Sequence, residues 1–350
     1  MTRISFGIMI FIVLSFSACQ KAKTNQTETL IPMTQQNSKF NTETNQTETQ
    51  TRMKTENAIR STATHQKETQ TPMEPRNSRL IVIAHRGARS LAPENTLMAA
   101  QKAYDFGADM WELDVALTYD KVPVVIHDDT INRTSNAATY YPDRKPWSVN
   151  TFTLEELKKL DFGSWFIETD PFKTINDGQV SPEDQQKMKN ITIPTLEEAL
   201  ELTMNLGWRV NVEIKDLWRT PDDDAIVVAK VVALVEKLDM VDSVIISSFR
   251  HDYLTQVKKI NPNIATAALV EQGYNDPVSL LRKLDSQAYN PGIAGLYVWS
   301  TIRDVRNAGY EVFVWTVNDE ATFKELEEAG VSGIFTDYPQ LLIKYLATEK

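Results

Sequence analysis

The chain has 350 residues, 42% hydrophobic and 24% charged, the composition of an ordinary globular protein with a normal core. Its single cysteine, Cys19, excludes an intrachain disulfide and a thiolate metal site. The formal charge of −10 falls mainly on residues 79–350, with 28 Lys/Arg against 41 Asp/Glu, so no basic stripe is offered to a nucleic-acid backbone.

The first segment reads as an export signal. Arg3, the apolar run from Ile8 to Phe16 and the small residues Ser17 and Ala18 have the order of a secretory signal peptide over 1–18. Cys19 follows at once, which resembles a bacterial lipobox and implies a lipidated thiol at the mature N-terminus. The expectation is an exported bacterial lipoprotein, periplasmic or cell-surface and held to a membrane by its lipid. Gln20 is not an aspartate, so the outer membrane is among its destinations.

Residues 19–78 are rich in Thr, Gln, Asn, Glu and Lys and cannot bury enough apolar area to offset chain entropy. Thr-Asn-Gln-Thr-Glu-Thr occurs at 24–29 and again at 44–49, a period of 20 residues. Without apolar positions to stack, these repeats predict a flexible tether with a reach of roughly 40 Å, not a solenoid.

Beyond Arg79, short β-branched runs alternate with helical patterns. Strands are expected at Leu80–His85, Met110–Val115, Val122–His127, Arg209–Lys215, Ser243–Ser247, Ile264–Val270, Glu311–Val317 and Gly333–Asp337. Amphipathic stretches lie between most of them, including Asn95–Phe106, Leu196–Leu206, Ala225–Leu238 and Glu320–Ala329. Eight such runs predict an α/β fold, a TIM (β/α)8 barrel over 79–350, with a small insertion (about 128–193) after strand three. An insertion there hangs over the C-terminal face, where barrel active sites are built.

Barrel strands normally read as continuous apolar runs, and two of these do not. In Trp111-Glu112-Leu113-Asp114-Val115 the acids are two apart and leave the same side of the strand, as do Glu213 and Lys215. Taken singly, each acid also suits a solvated strand end or an internal salt bridge with Lys215. Three carboxylates in one cavity would repel unless a cation were present, and all-oxygen ligation favours Mg²⁺ or Ca²⁺.

His85 and His127 each end an expected strand beside these acids and make a plausible acid and base pair, whereas His65 and His251 read as bystanders. Arg86 follows His85 and offers a fork for phosphate oxygens, with Gly87 allowing a tight turn. Asn95 or Thr96 caps the next helix, and Glu94 either belongs to that helix start or supports the site.

These residues resemble the glycerophosphodiester phosphodiesterases. The resemblance rests on Ile83-Ala84-His85-Arg86-Gly87, Ala92-Pro93-Glu94-Asn95-Thr96, Glu112-Leu113-Asp114-Val115, Val125-Ile126-His127-Asp128 and Leu160-Asp161-Phe162-Gly163. It continues through Ile193-Pro194-Thr195-Leu196-Glu197-Glu198, Glu213-Ile214-Lys215, Val314-Trp315-Thr316-Val317-Asn318 and Gly333-Ile334-Phe335-Thr336-Asp337-Tyr338-Pro339. It implies a TIM barrel with Ca²⁺ or Mg²⁺ on Glu112, Asp114 and Glu213, and His85 and His127 as acid and base. It further implies phosphate held by Arg86 and Lys215, Trp315 against the glycerol, and glycerol 3-phosphate and an alcohol as products. The rival readings are a barrel phosphodiesterase acting on lysophospholipids or sphingolipids, and a catalytically silent surface-binding lipoprotein. Neither head-group choice nor oligomeric state follows from the sequence.

Overall fold

In a computed structural model of the chain, the described residues are 79–216, 221–294 and 298–348. The expected signal segment, Cys19, His65 and the expected tether lie outside them. Nine strands form one sheet: β1 (Ile81–Ala84), β2 (Met110–Leu117), β3 (Pro123–Val125), β4 (Val210–Ile214), β5 (Val244–Ser248), β6 (Ala265–Val270), β7 (Ala288–Pro291), β8 (Glu311–Val314) and β9 (Gly333–Thr336). All but β3 pair in parallel in the order β1-β9-β8-β7-β6-β5-β4-β2, and pairing of β1 with β2 closes the ring. The fold is an eight-stranded parallel barrel wrapped by helices, the TIM architecture.

The expected strand set needs two corrections. Val122–His127 is not a barrel stave: β3 runs antiparallel to β2, with Val115 opposite Val125 and Leu117 opposite Pro123. Only five residues separate β2 from β3, too few for the dozen or more that a parallel crossover needs. The eighth stave is β7, which the sequence reading missed. The insertion follows the third strand in chain order, but that strand is a flap on β2, so it leaves the barrel after the second stave.

The pleat sorts the strand residues. Val82, Trp111, Leu113, Val115, Val210, Val212, Ile246 and Tyr289 face the helices and share one core with them. Ile83, Met110, Ile245, Ala267, Ala288, Phe313 and Phe335 form a separate cluster in the lumen. The expected helices are present as Leu97–Phe106, Leu196–Asn205, Pro221–Lys237 and Glu320–Ala329. Thr195 and Glu198 form a reciprocal cap at the start of Leu196–Asn205, which satisfies two orphan N–H groups there.

The insertion holds short helices at Ala137–Tyr140, Leu154–Leu157, Ser164–Thr169 and Pro182–Met188. Its own apolar cluster, with Phe152, Leu157, Leu160 and Phe162, is seated on Ala116, Val124 and Ile126 of the β2–β3 hairpin. Phe166 and Met188 pack instead on Leu91, Ala92 and Ala99, beside the turn after β1. Burial on both sides fixes the insertion over the barrel mouth.

Candidate active site

Glu112 and Asp114 project from β2 into the mouth, and the register puts Glu112 beside Asn211 and Asp114 beside Glu213 on β4. Glu112, Asp114 and Glu213 are buried, and each offers one carboxylate oxygen within 4.8 Å of the other two. Burial, then the Asp114 and Glu213 charges, pushes Glu112 well above the ordinary carboxylate range. Burial also raises Glu213, against the pull of Lys215. Asp114 overcomes its own burial because Lys215 and Arg86 hold it ionised and well below that range. Asp114 Oδ1 has no hydrogen bond, only Lys215 Nζ at 3.6 Å. Excess buried negative charge and a spare carboxylate oxygen are what a bound cation relieves, so the triad fits a divalent metal ion.

The chain reverses after β1 through Arg86, at φ 55°, and Gly87, at φ 80°. A Cβ on Gly87 would stand 2.6 Å from the Ala99 backbone carbon, so both φ and space require glycine there. The turn aims the Arg86 N–H at Glu112 Oε2, 2.8 Å away, and swings the guanidinium over the acids, with Nε 3.3 Å from Asp114. Nη1 is held by Glu94 at 2.9 Å. Lys215 Nζ sits 2.8 Å from Glu213; burial alone would lower its pKa, and the Asp114 and Glu213 charges raise it instead.

Each histidine ring is fixed through Nδ1. His85 Nδ1 is 2.7 Å from Asp337, itself held by Asn318 at 2.9 Å and Arg89 at 3.3 Å. Burial and the Arg86 charge lower the His85 pKa to about 4, with Asp337 opposing. His127 Nδ1 is 2.8 Å from Asp128. His127 reaches the mouth because β3 runs back along β2, with the Ile126 N–H on Asp114 O, and not because it ends a stave. In both rings Nδ1 is engaged by a carboxylate, which leaves Nε2 as the nitrogen for exchange, and both residues line the same cleft.

His85, Arg86, Glu112, His127, Glu213, Lys215 and Trp315 line one open cleft of about 150 Å³. Trp315 donates from Nε1 to Asn290 O at 2.9 Å and meets Phe249 edge-on at 5.4 Å between ring centres. Phe249, Leu269 and Phe335 make that side of the cleft apolar.

Residues 85–341 match the profile of the Glycerophosphoryl diester phosphodiesterase family. The chain belongs to this family. It is 34% identical over 266 residues to the glycerophosphodiester phosphodiesterase of Caldanaerobacter subterraneus subsp. tengcongensis, covering 76% of this chain and 97% of that one. The same identity over 266 residues relates it to the glycerophosphodiester phosphodiesterase of Bacillus altitudinis, covering 75% and 96%. Its barrel superposes with a TM-score of 0.64 and 29% identity on an Oleispira antarctica phosphodiesterase in complex with the product sn-glycerol-3-phosphate, over 76% of this chain and 96% of that one.

Seven of the eight site residues expected on the barrel line this cleft, and the eighth, Asp114, is buried beside Glu112 and Glu213; Cys19 lies outside the described residues. The supporting residues were less visible. Thr96 caps the helix that follows, accepting from Ala99 N, while Asn95 donates to Asp114 Oδ2 at 2.8 Å and accepts from the Asp114 N–H. Asp128 is on His127, and Asp337, itself held by Arg89 and Asn318, is on His85. Asp128 and Asp337 stood in the quoted motifs, but nothing local distinguishes an acid that orients a ring from one in solvent.

Proposed function

We propose that this protein hydrolyses glycerophosphodiesters to glycerol 3-phosphate and an alcohol with a divalent cation, Ca²⁺ or Mg²⁺, held by Glu112, Asp114 and Glu213. The observation that carries the reading is the convergence of that buried acid triad with two carboxylate-held histidines, Arg86 and Lys215 on one cleft. A bound cation supplies Lewis-acid stabilisation of charge on the phosphoryl oxygens. Arg86 and Lys215 put fixed positive charge where a phosphodiester gathers more negative charge on the way to its transition state. One histidine takes the proton of the attacking hydroxyl or water through Nε2, and the other gives a proton to the departing oxygen. Trp315, with the apolar side of the cleft, packs against the glycerol carbons.

In the same reading the barrel is displayed from a membrane by a lipid on Cys19 and the tether of residues 19–78. Among the rivals, a silent binding protein is disfavoured because all three acids and both histidines are present. Choline release from glycerophosphocholine tests the reading. It is expected to stop with EDTA and return with Ca²⁺ or Mg²⁺, and either His85→Ala or His127→Ala is expected to lower kcat/KM by about 10². Turnover in a rigorously metal-free sample, or full activity of either variant, would overturn it.

A further inference from the structure

The structure assigns to Arg133, a residue of the insertion, the task of positioning His127. Its guanidinium spans two carboxylates. Nε and Nη2 donate to Asp128 at 2.6 and 3.0 Å, and Nη1 and Nη2 donate to Glu94 at 3.1 and 2.6 Å. Asp128 is the residue on His127 Nδ1. Glu94 is 6% exposed and also receives Arg86 Nη1 and Arg89 Nη2, so it is anchored to the barrel. One guanidinium therefore ties the flap that carries His127 to the turn that carries Arg86.

The Arg133 guanidinium engages both oxygens of Asp128 at once. Asp128 without Arg133 would be a half-exposed carboxylate on a short segment, free to rotate away from the imidazole. A planar fork that satisfies both oxygens removes that freedom, which a single ammonium cannot do. The face of Trp165 lies 5.7 Å from the Arg133 guanidinium carbon and backs it from the insertion side. The helix Ser164–Thr169, which bears Trp165, is anchored by the fully buried Phe166. The insertion is thus more than a cover: it sets the orientation of one of the two rings.

The inference rests on the reading that His127 exchanges a proton, and its test separates the two. Arg133→Met, Asp128→Asn and their double variant are compared with His127→Ala on glycerophosphocholine and on a glycerophosphodiester with an aryl leaving group. Arg133→Met is expected to lower kcat about tenfold or more with KM within about threefold, and with Tm nearly unchanged because the side chain is 41% exposed. Its loss should show the same preference between the two substrates as His127→Ala, in weaker form. The double variant should be no slower than Asp128→Asn, because Arg133 acts through Asp128. An unchanged kcat in Arg133→Met, a rise in KM alone, a substrate preference opposite to that of His127→Ala, or losses that multiply in the double variant would each overturn the assignment. If His127→Ala itself keeps full activity, the proton-transfer reading fails, whatever Arg133→Met does.

Discussion

Glu112→Gln is expected to make the metal-free protein more stable and the metal-loaded protein less stable than the parent. The Glu112 carboxylate has one direct partner among the described residues, the Arg86 N–H, and it faces Asp114 and Glu213 in a buried cluster. Its pKa is raised, so near neutral pH the fold either holds a proton there or holds an opposed charge, and both destabilise it relative to the unfolded chain. A glutamine keeps an oxygen for the Arg86 N–H and removes the charge. Interactions between groups of one buried network are typically worth about 1–2 kcal/mol, or about 2–4 °C in Tm for a domain of this size. With metal at 100 times its Kd, the parent gains about 2.7 kcal/mol. A variant whose affinity has fallen about 100-fold gains only about 0.4 kcal/mol at the same concentration, so the order inverts. Thermal melts of both proteins, in EDTA and in a Ca²⁺ or Mg²⁺ series, read this directly. A variant less stable than the parent in EDTA would mean that attraction to Arg86 outweighs the repulsion, and the account of the cluster would be wrong.

Acid should weaken the fold through His85. Its folded pKa of about 4 lies below the ordinary 6.5, so as pH falls through that interval the unfolded chain takes up a proton that the folded one refuses. Up to about 3 kcal/mol of stability is lost on the way down, and His85→Gln is expected to flatten the denaturation midpoint between pH 6.5 and 4; an unchanged slope would contradict the shift. Cys19→Ala should abolish incorporation of radiolabelled fatty acid, and equal labelling of variant and parent would remove the lipobox reading.

The barrel was legible in the alternation of strand and helix patterns, and the candidate site residues because chemistry broke an expected pattern: acids at i and i+2 in strands that should be apolar, and histidines beside them. What was hidden depended on distance along the chain. The Ala288-Tyr289-Asn290-Pro291 stave is four residues long and ends in proline, so it carries little strand signal of its own. The 40 residues between Val270 and Glu311 nevertheless leave room for a helix, a strand and a helix. Conversely, Pro123–Val125 has strand composition, and only the short link from β2 shows that it turns back. The partners of the two imidazoles are 252 residues away for His85 and adjacent for His127, and neither spacing has a sequence period that would reveal it.

Phosphorus NMR of glycerophosphocholine turned over by the purified protein tests the central claim most directly, because it reports which ester bond breaks and whether metal is required. The account predicts one new resonance, that of glycerol 3-phosphate, growing in the presence of Ca²⁺ or Mg²⁺ and absent with EDTA. Phosphocholine as the product, or glycerol 3-phosphate formed at the same rate in EDTA, would contradict it.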